Sequence, residues 1–222
     1  MPNVAFVSPK GGSGKTTSAL LLALGLAELG LRVALIDSDP NKPLLQWAAL
    51  AGKPDRITVH AAPTIPDIRD ALREARRHDP QWTIVDTEGS VRGAMVFAAL
   101  RFDLVVTPLT GSQLDVAEAI KAAQMAEAFG KRAGKPLLFR CLVTRVPAAL
   151  RPRSLGMVVA ELRRRQIDIL PTAIIEKEAF RDLFAHGGGL AALAQRGVYG
   201  VAAAHHNARA YVGDVVNALE SA

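Results

Sequence analysis

Ser8-Pro9-Lys10-Gly11-Gly12-Ser13-Gly14-Lys15-Thr16-Thr17 is the stretch on which the fold turns. It follows the short apolar run Asn3 to Val7 and precedes a helical pattern from Lys15 to Leu29 that Gly30 closes. Strand, glycine-rich loop and helix in that order make an anion cradle. The glycines let the backbone curl so that successive N–H groups face one anion, and the helix start adds the positive end of its dipole. Lys15 supplies a point charge for the β- and γ-phosphates of a nucleotide, and the Thr16 hydroxyl is placed to ligate Mg²⁺. The expected nucleotide contacts are therefore Gly11, Gly12, Ser13, Gly14, Lys15, Thr16 and Thr17.

The rest of the chain repeats the same alternation. Leu31 to Ile36 reads as a strand ending at Asp37, and Pro40 to Ala51 as a helix that Gly52-Lys53-Pro54 stops. A weak strand over Ile57–Ala61, a helix over Pro66–Arg77 and a strand over Trp82–Asp86 follow. Val91–Leu100 reads as a helix, Asp103–Thr107 as a strand, and Ser112–Phe129 as the longest helix, closed at Gly130. Then come a strand over Leu137–Val143, a helix up to Arg165, a short last strand over Ile167–Leu170, and helices over Glu176–Ala185 and His205–Leu219. Gly187-Gly188-Gly189 reads as a flexible turn. The strands are continuously apolar and alternate with helices, which is the mark of a parallel sheet covered on both faces. The expectation is a single-domain α/β fold over residues 1–222, a doubly wound, mostly parallel sheet of the P-loop NTPase type, with the last helix packed on it.

Composition narrows the classes. With 50% apolar and 22% charged residues, the 222-residue chain is not disordered. Its single cysteine, Cys141, excludes a disulfide scaffold and any cluster needing several thiols. The start carries no basic leader, and the apolar-rich stretch Ala19–Leu29 is too short for the ~20 residues of a membrane span. A cytoplasmic protein is expected. The formal charge of +6 is unevenly spread: Lys131 to Asp168 carries +8, leaving −2 for the rest. Such a patch is the electrostatic footprint of a polyanion binder, although arginines near helix ends also serve simply as solvated faces.

The loop departs from the usual pattern: Pro9 stands where its first glycine would be, and Lys10 adds a second cation. Lys-Gly-Gly-x-Gly-Lys-Thr-Thr resembles the deviant Walker A motif of the ParA/MinD superfamily. That resemblance implies that Lys10 reaches the nucleotide of a partner subunit in a homodimer with ATP sandwiched, so that hydrolysis depends on dimerisation. Asp37-Ser38-Asp39-Pro40-Asn41 resembles the family's switch segment, which puts Asp37 near the metal and gives Asp39 the attacking water. Thr83-Ile84-Val85-Asp86-Thr87 resembles Walker B, with Asp86 holding Mg²⁺ through water. An Asp at a strand end can equally cap the next helix. Glu88-Gly89-Ser90 and the Asn41–Trp47 stretch are similar to the small ParA proteins of plasmids and to the VirC-type ATPase of T-DNA transfer. By the same resemblance Thr144 and Arg145 are candidates for the base site. The similarity runs over residues 3–195, and the last thirty residues match no pattern.

Members of the superfamily differ in what they do. One cysteine excludes the cluster-bearing iron proteins. The final helix lacks the basic amphipathic face of a membrane anchor. Two tyrosines do not make the tyrosine-rich tail of the kinases. What the resemblance leaves is an ATPase that binds DNA nonspecifically, answers to a stimulating partner protein and positions a cargo. Arg151 and Arg153 at one end of a helix, with Arg163, Arg164 and Arg165 at the other, are its candidate DNA contacts. No DNA-reading arm precedes the loop. The alternatives are a positioner of protein clusters or a relaxosome-assembly factor, and, in another class, an amide-forming synthetase.

Overall fold

The computed structural model describes residues 1–88, 102–134, 137–148 and 153–221. Its strands are β1 (Asn3–Phe6), β2 (Val33–Asp37), β3 (Ile57–Ala61), β4 (Trp82–Asp86), β5 (Leu104–Leu109) and β6 (Leu138–Val143). They form one parallel sheet in the order β3-β2-β4-β1-β5-β6. The described helices are α1 (Lys15–Glu28), α2 (Pro43–Ala49), α3 (Ile65–Ala75), α4 (Gln113–Ala133), α5 (Arg153–Arg164), α6 (Glu178–His186), α7 (Leu190–Gln195) and α8 (Val201–Glu220). The α/β parallel sheet matches the sequence expectation.

Both faces of the sheet are covered. Val4, Phe6, Leu35, Ile84 and Val106 point into a core shared with α1, α6, α7 and α8. Ala5, Val7, Ile36, Val85 and Val105 point the other way, towards α3. Cys141, Leu109 and Val143 meet α4 and α5 on that same side. Cys141 is fully buried, and burial pushes its thiol up to about 12. Helix α1 has buried residues on every side, Ser18 to Leu24 among them, because it lies between the sheet and α8. The apolar run from Ala19 is thus interior as far as Leu26, and its end, Leu29, is exposed.

Several boundaries differ from expectation, each for a local reason. Helix α4 runs through Gly130 to Ala133, and Gly134 at φ +66 ends it. Helix α2 begins only at Pro43, since the segment before it folds back on Asp37. Helix α8 starts at Val201, capped by Gly200, and the short α7 precedes it. Ile167–Leu170 forms no strand: Ile169 makes one isolated parallel bridge to Cys141. The helix expected over Val91–Leu100 lies outside the described residues, as does Arg151.

Candidate functional site

Strands β1, β2 and β4 end level with one another, with Phe6 and Asp37 both standing opposite Asp86. The glycine-rich loop leaves β1 over these strand ends and enters α1. Gly14 closes it at φ +94, a left-handed conformation that a side chain would strain, and a β-carbon there would lie 3.3 Å from Thr144. Thr144 braces the loop from below: its buried hydroxyl donates to the Ser13 carbonyl at 2.7 Å and lies 3.2 Å from that of Leu109.

Lys15 is buried and donates to the Lys10 carbonyl at 3.1 Å, drawing the loop closed. Burial lowers its pKa, against the opposing pull of Asp86, Asp39 and Glu88. The Thr16 hydroxyl donates to Asp86 Oδ2 at 2.7 Å. Burial pushes the Asp86 carboxyl up to about 7; the Thr16 bond opposes the rise and Asp37 adds to it. Asp86 Oδ1 and Ser13 Oγ are buried with no hydrogen-bond partner among the described residues. Unpaired buried polar atoms are uncommon, and each calls for an explanation such as an ion or ligand. Two of them beside a buried lysine and a glycine-rich helix start fit a metal–phosphate group.

Asp37 does what the alternative reading of a strand-end aspartate allows. Its Oδ2 accepts from the N–H groups of Leu44 and Leu45 at 2.8 and 3.1 Å, capping α2, and its Oδ1 accepts from Asp39 N at 3.2 Å. Burial raises its pKa against these three backbone bonds. Asp39 is half-buried and accepts from Asn41 N at 2.8 Å. Both aspartates therefore stand at the strand-end edge with Asp86, with Asp37 committed to the backbone.

Lys10 does not point into its own loop. Its ammonium pairs with Asp115 Oδ1 at 3.1 Å. Asp115 Oδ2 also takes bonds from the Thr110 hydroxyl, Thr110 N and Ser112 N. Burial alone would raise the Asp115 carboxyl, but these donors together with Lys10 hold it at about 2. Asp115, which holds Lys10 here, is a site residue that sequence reasoning missed. Its signal is Ser112-x-x-Asp115, a capping box at the start of α4.

Beside Gly14 opens a cleft of about 150 Å³ whose walls include Thr17, Thr144, Arg145, Phe180 and Arg181. The two base-site candidates thus line a cavity adjoining the loop. A larger concavity of about 670 Å³ lies elsewhere, between the end of α4 and the start of β6. The arginines lie apart from the loop too. Ile169 is level with Cys141, so the end of α5 lies towards the opening residues of β6, at the edge away from the loop. There Arg163, Arg164 and Arg165 are exposed, and Glu161 pairs with the latter two. Arg153 opens α5, roughly 16 to 17 Å along the helix from Arg164.

The family model described as VirC1 protein matches residues 1–215. The chain belongs to the VirC1 family. Among relatives of this VirC1-family chain is Protein ParA of Rhizobium radiobacter, 29% identical over 224 residues, covering 100% of this chain and 99% of that one. Its fold matches apo McdA of Cyanothece at a TM-score of 0.69, with 15% identity and 99% of both chains covered. It matches the MinD cell division protein of Aquifex aeolicus at 0.68, with 16% identity and 98% of each. The resemblance carried by the loop is correct: this is a ParA/MinD superfamily ATPase related to VirC1 and ParA. Among the described residues no helix is long and apolar enough to cross a membrane.

Proposed function

We propose that this VirC1-family chain binds Mg-ATP, dimerises around it, holds DNA nonspecifically and lets go on hydrolysis, so as to segregate or position a cargo such as a plasmid, a conjugative element or a chromosome. The observation that carries the reading is the Thr16–Asp86 bond beside the unpaired Asp86 Oδ1 and the buried Lys15. Gly11 to Thr17 offer backbone N–H groups to the phosphates, and Lys15 turns from the Lys10 carbonyl to the β- and γ-oxygens. Thr16 and Asp86, with Asp37 behind them, are the residues to hold Mg²⁺, which supplies charge neutralisation on the transferring phosphate. Among the described residues no three acidic, histidine or cysteine side chains form a metal cage of their own, which suits an ion held largely by phosphates and water. Thr144 and Arg145 border the base.

Asp39 orients the attacking water. Its carboxylate is half-buried and, among the described residues, is tethered by Asn41 N, so water stays loosely aligned and turnover slow until a stimulating partner closes the segment. Lys10 acts across the dimer, and for that it must leave Asp115, which keeps its bonds to Thr110 and Ser112. Arg151, Arg153, Arg163, Arg164 and Arg165 meet DNA phosphates, giving salt-sensitive binding without base reading and a cytoplasmic, nucleoid-associated protein. The test uses DNA retention in ATP and in ADP together with Asp39→Ala. That variant is expected to keep ATP binding, lose about 100-fold in turnover and stay on DNA in ATP. Equal retention of the wild type in ATP and ADP overturns the DNA switch, and normal turnover of the variant overturns the role of Asp39.

A further inference from the structure

The glycine turn expected to be flexible is one of the tightest contacts in the molecule. Gly187 sits at φ +72 at the end of α6, and a β-carbon on it would lie 2.5 Å from Leu50 Cβ and 2.9 Å from the Ala51 carbonyl. The next carbonyl, that of Gly188, accepts the indole N–H of Trp47 at 3.0 Å. Trp47 lies on α2 and is 1% exposed. The far end of α2 is thereby locked to the end of α6.

The near end of α2 is locked as well, to a different place. It starts on the Asp37 carboxylate through Leu44 and Leu45, and Asp37 in turn holds Asp39 N, whose carboxylate holds Asn41 N. Helix α6, at the other end, supplies Phe180, Arg181 and Phe184 to the wall of the cleft beside Gly14 and Thr144. A seven-residue helix thus spans from the end of α6, the helix that supplies part of the cleft wall, to the segment carrying Asp39.

We propose that Trp47 and Gly188 are positioning residues for Asp39: α2 is a strut that carries the seating of a nucleobase against α6 to the segment that orients water. The inference rests on the nucleotide reading of the loop. A base pressing on Phe180 moves α6, the indole bond and the close Gly187 contact move α2 with it, and the Asp37 cap hands the displacement to Asp39. Packed interiors transmit such shifts because they have little free volume to absorb them.

Trp47 and Trp82 are the two tryptophans, so a Trp82→Phe background leaves Trp47 as the reporter. Mg-ADP, with binding established by calorimetry, is expected to shift the Trp47 emission. Trp47→Phe, which keeps an aromatic ring but removes the pyrrole half of the indole with its N–H, is expected to lower kcat for ATP about tenfold while KM stays within about twofold. Emission that stays fixed while ADP binds overturns the strut. So does a Trp47→Phe protein whose kcat is unchanged, or whose KM and Tm worsen in step with kcat, since that marks a purely structural contact. If Trp47→Phe does not fold, the emission measurement on the intact clamp decides alone. Failure of the wild type to bind ADP at all overturns the nucleotide reading itself and takes the strut with it.

Discussion

The phosphate loop and the arginine end of α5 are held in opposite ways. At the loop, three bonds tie it to distant parts of the chain: Thr16 with Asp86, 70 residues on, Lys10 with Asp115, 105 on, and Thr144 with the Ser13 carbonyl, 131 apart. On α5, Arg164 and Arg165 find Glu161 three and four residues away on the same exposed helix face. Long-range bonds between half- or fully buried groups exist only in the folded chain, and they fix where atoms sit. Exposed pairs of neighbouring residues contribute about 0–1 kcal/mol each and can be exchanged for other partners at little cost. One region is built for shape, the other for charge.

That contrast can be broken at either end. The largest effect is expected from Lys15→Gln, which leaves the loop without its buried cation and should weaken ATP binding about 1,000-fold, the scale of losing a desolvated charged partner. Calorimetry giving ordinary affinity would mean that the loop is not the site. The next is Asp115→Asn. Because its folded pKa of about 2 lies below the ordinary 3.8, Asp115 contributes stability that is fully present above about pH 4 and is lost as pH falls towards about 2. The variant should lose roughly 2 kcal/mol at pH 7 by urea denaturation, and the gap should narrow on acidification. A gap that does not change with pH would assign the loss to packing instead. The smallest effect belongs to the charged region. Arg163→Glu with Arg164→Glu should leave the urea midpoint nearly unmoved, weaken DNA retention about tenfold at ~100 mM salt and flatten its salt dependence. An unchanged gel shift would remove this end of α5 from the DNA reading.

The same contrast explains what could be read in advance. Glycines, Lys15 and Thr16 are legible because a phosphate cradle needs consecutive backbone groups, so its residues must be neighbours in sequence. Asp86 was legible as a strand-end carboxylate. Its bond to Thr16 was not, since it depends on β4 pairing directly with β1. Asp115 announces itself only as a helix cap; that it meets Lys10 follows from the loop between β5 and α4 passing beside the phosphate loop. The glycine triplet was misjudged because the same residues serve a loose turn and a close approach, and only Trp47 and Leu50 in three dimensions distinguish them. The neutralising role of Glu161, by contrast, was already written in its spacing to Arg164 and Arg165.

Helix α8 closes over α1, with the Tyr211 hydroxyl bonded to the Ser18 carbonyl across 193 residues and Val212 seated where Gly25 leaves room. During synthesis α1 leaves the ribosome early and α8 late. Until α8 arrives, the apolar side of α1 that it will cover faces water, directly behind the phosphate loop. Closing so long a span is slow compared with forming α1 itself. Until then the helix that carries Lys15 and Thr16 lacks the cover that Tyr211 and Val212 give it in the folded chain.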